Sequence, residues 1–215
     1  MCLNASRAKN AAFVYLLGVD ENGNSLDGID DPGRDFFRQR AIDFLKNIDT
    51  YDGRVPILDW GRFSYNKQQY RSKEIIEYLS AYDLLRTGRA HLGLTFSDND
   101  EGIIRNKLVV ATRTLYHRSK DLFSTLETYS NYSLMTCAAL GMAACILHDK
   151  TTYLWEVNSK PERWANAANA YINQTMFGGS NNVNPIPMSS ANNHSGYAEG
   201  PHYFAYAFEN LLPYF

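Results

Sequence analysis

The sequence predicts an all-α fold of about seven helices stacked as hairpins. Three observations carry that prediction. Apolar residues recur at 3–4 spacing in segment after segment, β-branched alternation is nowhere sustained, and the stretches between are rich in Gly, Pro, Asn and Asp.

Residues 5–19 place Ala8, Ala11, Ala12, Tyr15 and Leu16 along one face of a first helix. An acidic, turn-rich connector follows over 18–33. Residues 35–48 repeat the pattern through Phe37, Ala41, Phe44, Leu45 and Ile48. Residues 71–85 do so with Ile75, Ile76, Leu79, Tyr82 and Leu85, and Gly88 is the expected C-terminal stop. A fourth helix is expected over 100–122, with Ser97 placed to cap it. The fifth, 131–148, is apolar almost all round from Leu134 to Leu147 and thin at Ala138, Ala139, Gly141, Ala143 and Ala144. A helix apolar on every face is buried on every side, so it reads as an inner helix whose polar end, Asn131, Tyr132 and Ser133, opens on one rim. The sixth runs from Trp155 or Pro161 to Met176, and the seventh starts at Pro201, a residue suited to a first helical turn. Between them, 178–200 is long and loaded with Gly, Ser, Asn and Pro, a composition that marks a functional or disordered loop.

The length of 215 residues predicts a single helical domain, 1–215, with 45% hydrophobic and 13% aromatic residues to build a core. Lys+Arg of 21 against Asp+Glu of 23 leaves a net charge of -2, which argues against a nucleic-acid binder. No apolar run reaches the length of a membrane span, and the opening Met1-Cys2-Leu3-Asn4 is not a secretory leader. Cys137 and Cys145, about 12 Å apart on one helix, are beyond disulfide reach, so the thiols read as small core residues.

The strongest chemical signal is the run 195–206, Ser-Gly-Tyr-Ala-Glu-Gly-Pro-His-Tyr-Phe-Ala-Tyr, a glycine-flanked turn feeding an aromatic helix. On that helix Phe204, Phe208, Leu211, Leu212 and Phe215 form a core stripe, while Tyr203, Tyr206 and Asn210 share another face. Tyrosines beside an amide suit a sugar, rings on its faces and polar groups on its edges; an ordinary capped aromatic helix accounts for the same spacing.

Three stretches carry a family resemblance. Gly196-Tyr197-Ala198-Glu199-Gly200-Pro201, continued by Tyr203 and Tyr206, resembles the signature in the helical domain of heparinase II/III-like polysaccharide lyases and the related alginate lyases. The segment from Asn131 through Ala144 is similar to their Asn-initiated, Ala-rich inner helix, and 69–85 resembles the helix before it. The resemblance implies part of an (α/α) toroid, normally followed by a β-sandwich that this chain does not include. It implies β-elimination on a uronic-acid-containing polysaccharide such as a glycosaminoglycan or alginate.

On that resemblance Asn131 is the carboxylate-binding amide, Tyr197 the catalytic tyrosine and Tyr203 its runner-up, with Glu199 orienting the loop or a sugar hydroxyl. His194 lies close enough in sequence to reach the same site, and Tyr132, His202, Tyr203 and Tyr206 complete the substrate-binding set. Tyr132 departs from the pattern, since the alginate-lyase-like members often carry His there. An anionic polysaccharide is the expected partner, no metal or cofactor is expected, and a polymer substrate points to a secreted or periplasmic setting. The apolar end 211–215 predicts a missing C-terminal domain or self-association through that face.

Two other functions stand beside the lyase. One is a non-catalytic glycan-binding or truncated toroid module, which Tyr132 favours. The other is a glycoside hydrolase toroid, which needs two opposed carboxylates where only Glu199 is well placed. His91, His117 and His148 show no metal spacing. Asp20, Asn22, Asn24 and Asp31 fall at calcium-loop spacing, but Ser25 stands where such loops have Gly, and an acidic connector explains them equally. Arg105, Lys107, Arg113, Arg118 and Lys120 occur with no intervening acid, as a solvated helix face or an attraction for an anionic polymer. Asn4, Asn131, Asn173 and Asn193 each begin an Asn-x-Ser/Thr triplet, which matters only in a eukaryotic secretory setting.

Overall fold

The computed structural model of the chain describes residues 3–18, 31–48, 65–124, 131–149 and 159–177, together with Asp20, Asn22 and Asn24. Every regular element longer than a single turn among these is an α-helix: α1 Leu3–Leu17, α2 Asp31–Lys46, α3 Tyr65–Leu92, α4 Asp98–Ser124, α5 Asn131–Ile146 and α6 Pro161–Phe177. The expected seventh helix from Pro201 lies outside the described residues. The chain divides into two compact units, Met1–Tyr51 with Glu74–Ala111, and Asp52–Lys73 with Thr112–Phe215.

In the first unit, α1 packs on α2. Of the expected face of α1, Ala8, Ala11, Ala12 and Tyr15 are buried and Leu16 is half-buried, and Ala5 one turn earlier is buried with them. Methyl-sized side chains on that face allow close approach of neighbouring helices. The Ser6 hydroxyl donates to the Glu77 carboxylate of α3, and the Tyr15 hydroxyl donates to the Thr95 carbonyl at 3.2 Å. On α2 the buried residues are Ala41, Ile42 and Leu45, with Ile48 just beyond its end, while Phe37 and Phe44 are half-buried and Phe36 is exposed. The helix starts at Asp31, inside the expected connector, because Pro32 sits in its first turn, where no N–H is needed.

The expected stop of α3 at Gly88 is corrected. The helix continues to Leu92, and Gly93, at a φ of 65°, is the residue that turns the chain out of it. Gly88 serves close packing instead. A Cβ there would lie 3.0 Å from Leu94 Cδ1 and 3.2 Å from Leu16 Cδ1. The Leu94 N–H then bonds back to the Gly88 carbonyl at 3.1 Å, closing the end of the helix. The stripe Ile75, Ile76, Leu79, Tyr82 and Leu85 is buried throughout. Four residues after Gly93, the Ser97 hydroxyl accepts from the Asp100 N–H at 3.1 Å, the predicted cap of α4.

In the second unit, α5 packs on α6. Every residue of α5 from Leu134 to Ala144 is buried, as expected of an inner helix, and Trp164, Ala168 and Ile172 on α6 follow one another at four-residue steps into the core. α6 starts at Pro161, the later of the two expected starts. The Lys160 carbonyl accepts the N–H groups of Arg163 and Trp164 just inside it. Cys137 is buried, but Cys145 is exposed, a correction to its reading as a core residue: it lies on the last turn of α5, past the buried stretch. No helix among the described residues is long and apolar enough to cross a membrane.

Candidate functional site

Asn131 is the first residue of α5, followed by Tyr132 and Ser133 in the same turn. The first N–H groups of an α-helix have no intrahelical partner, and the aligned peptide dipoles give that end partial positive charge. Asn131 therefore heads a helix end whose backbone favours an anion, while the following residues are the apolar ones that sink α5 into the second unit. The side chains of Asn131 and Tyr132, and all of His194, Tyr197, Glu199, His202, Tyr203 and Tyr206, lie outside the described residues.

What holds α5 is described. The hydroxyls of Ser72, on the portion of α3 in the second unit, and Thr136, five residues into α5, are hydrogen-bonded at 3.1 Å, and both side chains are fully buried. Leu134, Met135, Cys137, Ala138, Ala139 and Leu140 surround Thr136 in sequence and are buried with it. Burial pushes the Cys137 thiol up, so this sulfur is a neutral core group rather than a nucleophile.

Among the described residues, a dense polar cluster stands in the first unit, at the N-terminal turn of α4. The Glu101 carboxylate accepts a hydrogen bond from Arg89 at 3.0 Å and another from the Tyr82 hydroxyl at 3.2 Å. Arg105 and Arg86 lie 3.6 and 3.7 Å from it. Arg89 extends to Asp98 at 2.6 Å, and Lys46 of α2 pairs with Asp100. Burial pushes the Tyr82 hydroxyl well above the ordinary tyrosine range, against the pull of Arg105 and aided by the Glu101 charge. Acids in the first turn of α4 and basic residues in the last turn of α3 each complement a helix dipole, which is why opposite charges meet where the two helices join. The motif-led reading of the sequence passed over this cluster. Its visible signal was Asp98, Asp100 and Glu101 following Arg86 and Arg89 across the turn.

The same cluster corrects part of the basic-stretch reading. Arg105 is mostly buried beside Glu101, and Lys107 donates to the Ile48 carbonyl at 3.4 Å, so neither forms a solvated face. Three of the residues at calcium-loop spacing, Asp20, Asn22 and Asn24, bond one another. One Asp20 oxygen accepts the Asn22 and Asn24 N–H groups, each at 2.9 Å, and the other accepts the Asn24 side chain at 3.1 Å. Those bonds, led by the Asn24 amide, hold the Asp20 carboxyl below its usual range. The carboxylate thus organises its own loop, and Asp31 begins α2. Among the described residues no three His, Cys, Asp or Glu side chains cluster as metal ligands.

No protein-family model matches the chain, nor does any curated protein or solved structure.

Proposed function

We propose that the chain is the helical portion of a polysaccharide lyase that cleaves a uronic-acid-containing glycan by β-elimination, built as part of an (α/α) toroid. The observation that carries this reading is Asn131 at the head of α5, an apolar helix buried from Leu134 to Ala144. Packing of consecutive helices in pairs, α1 on α2 and α5 on α6, supports the stacked-hairpin layout.

The chemistry calls for these residue types. Removing the C5 proton of a uronate is difficult while its carboxylate is charged. A neutral amide at a helix N-terminus relieves that charge as it develops. A base takes the C5 proton, the C4–O bond breaks as the C4–C5 double bond forms, and a phenol protonates the departing oxygen. Tyr197 takes the acid role with no help, since a free tyrosine, with a pKa of about 10, is protonated at neutral pH. His194 is the nearest candidate base in sequence, and Glu199, Tyr132, His202, Tyr203 and Tyr206 hold the sugar. The partner is an anionic polysaccharide, met outside the cell or in a periplasm.

The test is incubation of the chain with alginate, chondroitin sulfate and heparin, following the ultraviolet absorbance of the conjugated product. Growth of that absorbance, lost in Asn131→Ala, is the expected result. Binding of these polymers without any product would replace the lyase by the glycan-binding module that Tyr132, in place of His, favours. Neither product nor binding would end both readings.

A further inference from the structure

A helix as apolar as α5 is placed mainly by packing that has no direction of its own. It is buried from Leu134 to Ala144, and in that stretch Ala138, Ala139, Gly141, Ala143 and Ala144 leave it thin beside the larger Leu134, Met135, Leu140 and Met142. Burial of apolar area is non-directional. Where the helix is thin, apolar burial alone resists a slide of one residue, about 1.5 Å, or the accompanying turn of about 100°, less than a row of large side chains would.

A directional contact between side chains opposes such a movement. Ser72 and Thr136 are each fully buried, and their hydroxyl oxygens are 3.1 Å apart. A slide or turn of α5 would break this hydrogen bond in a part of the core that is closed to water. Paired polar groups in a core are best attested in this use, selecting one register among near-equal ones. Thr136 lies only five residues, about 7.5 Å along the axis, from Asn131, so the contact acts on the end of α5 that bears the proposed site.

We infer that the Ser72–Thr136 hydroxyl pair is a register pin for α5, and that Ser72 is a positioning residue for the elimination through its effect on where the first turn of α5 stands. The catalytic part of this inference rests on the lyase reading; the pin itself does not.

The experiment uses the full chain with three substitutions: Ser72→Ala and Thr136→Val, which remove a hydroxyl, and Thr136→Ser, which keeps it. Amide hydrogen exchange is read over residues 134–140 of α5 and, as an internal reference, over α1, followed by initial rates on the uronate polymer that the wild type cleaves. Ser72→Ala and Thr136→Val are expected to raise exchange in α5 about tenfold, with α1 unchanged. They lower kcat about tenfold while KM stays within about twofold. Thr136→Ser keeps both values near wild type.

Wild-type exchange in Ser72→Ala, or equal damage from Thr136→Ser and Thr136→Val, overturns the pin. Slower turnover that merely tracks global unfolding, with α1 exchange rising alongside α5, overturns the positioning role. A wild type that forms no unsaturated product ends the lyase reading and the catalytic role together, and the exchange comparison still decides the pin.

Discussion

Arg89, on the last turn of α3, donates to the Glu101 carboxylate on the first turn of α4 at 3.0 Å, so one ion pair spans the turn between the two longest helices. Tyr82, Arg86 and Arg105 converge on the same carboxylate. Glu101→Gln keeps the shape and removes the charge that three guanidinium groups share. The side chain is mostly buried, so the loss is expected at about 2 kcal/mol, between an exposed pair and a fully buried one. Urea unfolding of the variant checks it, and an unchanged midpoint would show that the cluster contributes nothing net.

Two glycines are expected to respond oppositely to alanine. Gly102 lies in α4 with open space where a Cβ would go, so Gly102→Ala gains helix propensity and stabilises by about 0.5–1 kcal/mol. Gly88 is also helical, but its added Cβ meets the Leu94 and Leu16 methyls at 3.0 and 3.2 Å. Crowding outweighs propensity there, and Gly88→Ala destabilises by about 1 kcal/mol. Thermal melts of the two variants side by side test the contrast, which fails if both move the same way.

Thiol labelling separates the two cysteines of α5. A maleimide applied to the native chain is expected to mark Cys145 within minutes and to leave Cys137 unmarked until denaturant is added. Peptide mapping reads the outcome. Rapid native labelling at Cys137 would contradict the burial of α5 from Leu134 to Ala144.

The pH dependence has two arms of opposite sign. Asp100, held below the carboxylate range mainly by its hydrogen bond with Lys46, and Asp20, held there by Asn24, contribute stability above the ordinary carboxylate pKa of about 3.9. That contribution is lost as pH falls through their lowered folded values. Tyr82 and Tyr15 are raised by burial, so their contribution is complete below the free tyrosine pKa of about 10. It is lost as pH rises through the elevated folded values. A phenolate absorbance titration should show a late fraction among the 15 tyrosines that shrinks in Tyr82→Phe. A single step near 10 for all of them would refute the burial argument.

At the proposed site, Asn131→Ala is expected to lower kcat by about 10²–10³, the usual loss when a group that stabilises developing charge is removed. Tyr197→Phe, losing a proton donor, should cost about 10²–10⁴ with little change in KM. Steady-state rates on one uronate polymer read both. A Tyr197→Phe enzyme of wild-type rate would move the acid role to Tyr203.

What was legible in the sequence was each helix taken alone. The stripe Ile75, Ile76, Leu79, Tyr82 and Leu85, the Ser97 cap and the burial of α5 from Leu134 to Ala144 are legible in the sequence and observed, while Cys145 beyond that stretch is exposed. They follow from a period of 3.6 residues and from hydrogen bonds across three residues, which are local properties. Helix ends were less legible. Gly88 and Gly93 are the same residue type five positions apart, and only the packing of Leu16 and Leu94 on Gly88 shows which continues the helix and which turns out of it. Of the candidate site, the sequence supplied Asn131 at the head of its helix, and the structure starts α5 at that residue.

The sequence by itself determined the helical class, the buried face of α3, the cap on α4 and the apolar character of α5. The tertiary structure alone decided that Ser6 meets Glu77 across 71 residues, that Ser72 meets Thr136 across 64, and that three arginines share Glu101. Periodicity states which side of a helix turns inward. It does not state which neighbour waits there, because that depends on contacts between residues far apart in the chain.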